Sequence, residues 1–209
     1  MKNQELTISV ENAIKAYNGT DEKGKKMLEA LFGKETFIPK DIKDRIKTFD
    51  DACNALGEDN PLVLLYDVFQ NEIATTESRK DDADVLAYLK LRIIAAALNE
   101  GWKPEFTEDE VRWYPWFWLY TKDEWNRLDE GVKKYGRVLG RSSNSGDVGG
   151  GLACASAIYA SSNSGASRGS RLAFKSEELA EYCGKQFVDI WLDYLVGKEL
   201  SNGQGVAQG

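Results

Sequence analysis

The chain has 209 residues, 42% of them apolar, with six Trp, nine Tyr and eight Phe. That is enough hydrophobic material for one packed domain, or one domain with a helical extension, and it excludes global disorder. A formal charge of −7 opposes general binding to a phosphate backbone. The absence of histidine removes Ser-His and Cys-His nucleophiles and imidazole metal ligation, leaving carboxylates for acid–base work.

The first hundred residues read as helices. Val10, Ala13, Ile14 and Tyr17 recur at helical spacing, and Gly19 stops the segment. Thr20 can cap a second helix, with Asp21 and Glu22 at its positive end, a stripe of Met27, Leu28, Leu31 and Phe32, and Gly33 as its stop. Pro39 opens a turn or short helix over 40–46. Thr48-Phe49-Asp50-Asp51 has the capping-box pattern, and the helix it starts should close at Gly57. Asn60-Pro61 is a cap plus first-turn proline for a helix over 62–69, although Leu62-Val63-Leu64-Leu65 could also be a buried strand. The segment 75–80 is polar and predicts a loop. The next helix, over 82–99, carries Val85, Leu86, Leu89, Ile93, Ala96 and Ala97, a face broad enough to require cover on both flanks. Gly101 and Pro104 end it.

The middle of the chain changes character. Thr107-Glu108-Asp109-Glu110 predicts one short helical turn. The aromatic run Trp113–Tyr120 predicts a strand that starts after Pro115 or lies at a sheet edge. It can serve as core, as a stacking platform for a sugar or base, or as both. Thr121-Lys122-Asp123-Glu124 is a third capping box. Strands are expected over 137–140, 152–159 and 171–175, with Leu152, Cys154, Ser156 and Ile158 facing one way. Ser176 caps a final helix whose continuous stripe is Leu179, Cys183, Phe187, Ile190, Trp191, Tyr194 and Leu195.

Two clusters of small polar residues, over 142–146 and 161–165, bracket the central strand. In antibody loops such residues are adaptable contacts, and here they predict either a recognition surface or plain solvated turns. The candidate ligand-binding residues are Ser142, Ser143, Asn144, Ser145, Asp147, Ser156, Tyr159, Ser161, Ser162, Asn163, Ser164, Ser167 and Arg168, with Tyr159 as the aromatic anchor. The glycines over 146–151 do not make a phosphate loop, because no Lys-Ser/Thr follows and the next element reads as a strand. Arg168 and Arg171 can clamp an anion or tie down the loop. The acidic pairs Asp81/Asp82, Asp109/Glu110 and Asp129/Glu130 sit at helix starts, where capping accounts for them, so no catalytic or metal site and no cofactor is assigned. Cys53, Cys154 and Cys183 lack metal or redox spacing and read as buried small hydrophobes, with a Cys154–Cys183 bridge left open.

The segment 152–174, ending Gly169-Ser170-Arg171-Leu172-Ala173-Phe174, resembles the C-terminal variable region of C-type-lectin-like proteins diversified by retroelements in phages and bacteria, with Ser170 where those carry an aromatic. Leu31-Phe32-Gly33-Lys34-Glu35, the stretch 47–56, the stretch 97–104 with Tyr114-Pro115-Trp116-Phe117, and the stretch 169–187 are similar to a family from phages and prophages of gut bacteria. The expectation is an α+β chain: a helical region over 1–105, a small antiparallel sheet with a closing helix over 106–198, and a mobile tail over 199–209. Its expected role is non-catalytic recognition of a protein or glycan, with structural or assembly work as the alternative and a carboxylate enzyme third. The protein is expected to fold in a bacterial cytoplasm, without signal peptide or membrane insertion, and to assemble into a homo-oligomer or a virion.

Overall fold

The computed structural model describes residues 7–76, 82–105, 107, 109–138, 151–160 and 170–196. Helix ends follow their local chemistry. Helix α1 (Val10–Asn18) is capped by Ser9, and α2 (Glu22–Phe32) by Asp21 rather than by the expected Thr20. Gly33 closes α2 at φ +81°, a conformation that favours glycine. A 3-10 turn (Lys34–Phe37) and α3 (Ile42–Arg45) follow. At α4 (Phe49–Leu56) both halves of the Thr48/Asp51 box are made, and Gly57 ends the helix at φ +88°. Asn60 caps α5 (Pro61–Thr75), so Leu62–Leu65 is helical, not a strand. Helix α6 (Ala83–Leu98) ends where Glu100 and Gly101 both take positive φ.

The chain divides into two units, residues 1–45 and 46–209. Helices α4, α5 and α6 belong to the unit that holds the sheet. In the first unit Tyr17 stacks on Phe37 with ring centroids 4.3 Å apart, and its hydroxyl donates to Glu29 at 2.6 Å.

The second unit is an α+β fold organised around α6. Leu91, Ile93, Ile94 and Leu98 are fully buried, and α4, α5 and the last helix pack around α6. Burial on nearly all sides explains why its sequence lacks a clean polar face. Among the described residues the sheet has three antiparallel strands, β1 (Arg112–Tyr120), β2 (Gly136–Val138) and β3 (Gly151–Ala160), in the order β1-β3-β2. Pro115 lies inside β1, which is tolerated because β1 is an edge strand. Arg112, at the start of β1, is wholly buried with Glu110 3.9 Å away. Helices α7 (Lys122–Arg127) and α8 (Glu130–Lys133) connect β1 to β2, capped by Thr121 and Asp129.

Three expectations are corrected. No helical turn forms at 107–110 among the described residues; the Glu110 carboxylate instead accepts from the Glu105 N–H at 2.7 Å. The segment 171–175 is not a strand. A 3-10 turn (Ser170–Leu172) leads to a single bridge between Phe174 and Trp113, and Leu172, Ala173 and Phe174 are all buried. Asn99 fixes this geometry by donating to the Ala173 carbonyl at 2.8 Å and accepting from the Lys175 N–H at 3.0 Å. Finally, the closing helix is two helices, α9 (Glu177–Gln186) and α10 (Val188–Val196), broken at Phe187 with ψ 32°. The break lets α9 lie on β1 and β3 while α10 packs on α6. Tyr182 and Gln186 anchor α9 by donating to the carbonyls of Ile46 and Lys47, both at 2.7 Å.

All three cysteines are free. Burial pushes the Cys154 thiol up to about 11 and raises Cys183 further, which makes both poor nucleophiles.

Candidate functional site: the open face of the sheet

Alternation along β1 gives its two faces different fates. Trp113, Pro115, Phe117 and Leu119 share one parity, Arg112, Tyr114, Trp116 and Trp118 the other. The first set turns towards α9 and α10 as far as Phe117, while Leu119 stands 63% exposed. Phe117 packs with Leu152, Val188 and Leu192, and its ring centre lies 5.5 Å from that of Trp191. A Cβ at Gly184 of α9 would fall 2.4 Å from Cys154 Sγ and 2.9 Å from Pro115 Cβ, so glycine is what allows this helix its close approach.

The second set is covered at its two ends and open between them. Tyr114 is buried with Ala173 and Trp102. At the other end Tyr120 lies near Trp125, whose indole fills the space where Gly136 and Gly151 lack side chains. A Cβ at Gly151 would lie 1.8 Å from that ring, so the last glycine of the 149–151 run is a packing requirement. Between these ends Trp116 and Trp118 stand 37% and 53% exposed, edge to face with centroids 6.2 Å apart.

Ser156 joins them through a β-bulge. The register steps from Trp116 opposite Ser156 to Phe117 opposite Cys154, leaving Ala155 as the extra residue. Leu152 and Cys154 therefore face the helices, while Ser156 shares the face of Trp116. The expectation that Leu152, Cys154 and Ser156 point the same way is wrong, because the bulge resets the alternation. The backbone of Tyr159 pairs with Trp113. The arrangement offers two indoles and a hydroxyl: stacking surface plus a hydrogen-bonding group that both donates and accepts. Among the described residues no group of three or more His, Cys, Asp or Glu could hold a metal ion.

Ser142, Ser143, Asn144, Ser145, Asp147, Ser161, Ser162, Asn163, Ser164, Ser167 and Arg168 lie outside the described residues, as does the side chain of Tyr159. Their points of attachment are nonetheless fixed. One segment enters β3 at Gly151 and the other leaves it at Ala160, so their roots are separated by the length of a ten-residue strand, about 30 Å. The open indole face lies between those roots. The sequence presents the aromatic run as platform or core without singling out Trp116 and Trp118; the period-two pattern does so once the buried parity is known. Arg171 stands exposed beside the buried Ala173.

No family model matches the chain, and no curated protein or solved structure is significantly similar to it.

Proposed function

We propose that this chain is a non-catalytic recognition protein, encoded by a phage or prophage and carried on the virion, that binds a surface glycan through the open face of its sheet. The observation that carries this reading is the Trp116–Trp118 pair, two neighbouring indoles left exposed on the face they share with Ser156. An apolar sugar face can lie against an indole while its hydroxyls bond to serine. The phage or prophage setting is proposed together with this role, and the small polar segments at both ends of β3 would extend the contact.

The test is a glycan array probed with the full chain, followed by affinity measurement on the best binder. The double variant Trp116→Ala/Trp118→Ala should bind at least about tenfold more weakly. Unchanged affinity in that variant would sink the proposal. Loss of binding only when residues 142–147 and 161–168 are replaced by alanine would move the contact to the loops, and binding of a protein in place of any glycan would change the ligand class.

A second reading, assembly through helices, has its own support. Val10, Met27 and Leu31 in the first unit, and Leu64, Leu65 and Val68 on α5, are exposed apolar side chains. A symmetric oligomer in solution that survives the double tryptophan substitution, but not Met27→Lys/Leu31→Lys, would favour it.

A further inference from the structure

A second concave feature lies away from the indole face. A cleft of about 370 Å³ opens between α6, the turn that follows it and the 3-10 turn over 170–172. Its volume is within the range of small-molecule sites. Leu62, Ala95 and Ala173 contribute its apolar surface, and the half-buried Trp102 stands in its wall. Asn99 also lines it, but both ends of its amide are engaged by the backbone of 173–175.

The remaining polar lining is Arg92, Lys103 and Arg171, with no carboxylate among the described lining residues. Among the described residues none of the three forms an ion pair, although the chain carries 34 acidic residues against 27 basic ones. Cations elsewhere do pair: Lys175 meets Glu100 at 3.2 Å, and Arg137 grips Asp189 through two nitrogens. The Arg92 guanidinium lies over the Tyr88 ring, 5.8 Å from its centre. Three uncompensated cations in one cleft repel one another, and an anion placed there would relieve that repulsion. Arginine suits phosphate or carboxylate because its planar fork can donate two parallel hydrogen bonds.

We propose that this cleft binds a small organic anion with a planar body, its phosphate or carboxylate held by Arg92, Lys103 and Arg171 and its plane set against Trp102. The site is independent of the glycan reading: different residues form it, and either can fail while the other stands.

Calorimetric titration of the full chain with adenosine monophosphate, phenyl phosphate, phthalate and inorganic phosphate tests it. At least one planar anion should bind with a Kd below about 1 mM, more tightly than inorganic phosphate and more weakly as salt rises. Phosphates binding while phthalate does not would identify the anionic group as phosphate; the reverse would identify carboxylate. The Lys103→Ala/Arg171→Ala variant alters two exposed side chains and should melt as the parent does, with affinity reduced about tenfold or more. Trp102→Leu should weaken the planar ligands and leave inorganic phosphate unaffected. Failure of all planar probes, inorganic phosphate binding as tightly as they do, or unchanged affinity in the double variant would each overturn the assignment.

Discussion

At Asp51 one carboxylate satisfies two backbone N–H groups, those of Lys47 at 3.0 Å and Thr48 at 2.9 Å, while the Thr48 hydroxyl oxygen accepts from the Asp51 N–H at 3.1 Å. The hydrogen bond with the Thr48 side chain, then that from the Lys47 N–H, holds the Asp51 carboxyl below its ordinary value of 3.8. A carboxylate whose folded value is depressed stabilises the native state above the unfolded value, and that contribution disappears as pH falls through the folded value. Thr48→Ala is expected to cost about 1 kcal/mol at neutral pH. Urea titrations should show Asp51→Asn destabilising at pH 7, with its difference from the parent shrinking as pH drops below 3.8. A difference that is constant across that range would contradict this account of the cap. Such caps are legible in sequence because every partner lies within four residues. Asn99 is the opposite case: its acceptor carbonyl, on Ala173, lies 74 residues away, so nothing near Asn99 announces its role.

Among elements, β3 carries the most consequence per residue. Its alternation predicts a single inward set, but the one extra residue at Ala155 turns Ser156 to the side opposite Cys154. Deleting Ala155 should close the bulge and make Ser156 the ladder neighbour of Cys154, so that the two still face opposite ways and Ser156 stays opposite Trp116. The expected result is a shortened β3 that keeps Ser156 beside Trp116 and Trp118 and binds as the parent does; loss of binding in a deletion variant that folds stably would refute the account of Ala155 as the extra residue. Other misread elements share a cause. The segment 171–175 alternates like a strand, yet the bonds to Asn99 and the single bridge to Trp113 hold it in another shape. The stripe over 179–195 continues through Phe187 although the helix does not, because each half packs against a different element. Hydrophobic periodicity records which side chains are buried, not whether one rigid element buries them.

At the scale of the molecule, the two units differ in what sustains them. Among the described residues of 1–45 only Ala13 is a buried apolar side chain, whereas 46–209 holds the α6 core and the sheet. A unit of about that length with so little interior is marginal on its own. Amide exchange should accordingly be much faster over 10–32 than over 87–98, and equal protection in both would contradict the division. In the first unit the two main helices and their glycine stops were legible, whereas the Asp21 cap and the 3-10 turn over 34–37 were not. The place where the chain divides was not, because α4 and α5 show in sequence only that they have an apolar face, and not that the face is spent on α6. The open indole pair was half legible for a similar reason: eight successive residues with six aromatics must be partly buried, but which parity is buried depends on a helix some seventy residues later.

Pro115 has one more consequence, for what the protein avoids. Trp113 exchanges both backbone hydrogen bonds with Phe174, at 3.0 and 2.9 Å, so the N–H and C=O of that parity point outward from the sheet. The next outward position is Pro115, which has no N–H to offer. Beside two exposed indoles, an unbroken outward ladder would be a template on which identical chains could stack, strand against strand, into fibres. Proline interrupts that ladder at its most aromatic point. Pro115→Ala should leave the fold recognisable but increase light scattering and thioflavin binding on prolonged incubation at high concentration. If that variant stays as clear as the parent, protection against self-templating resides elsewhere on the strand.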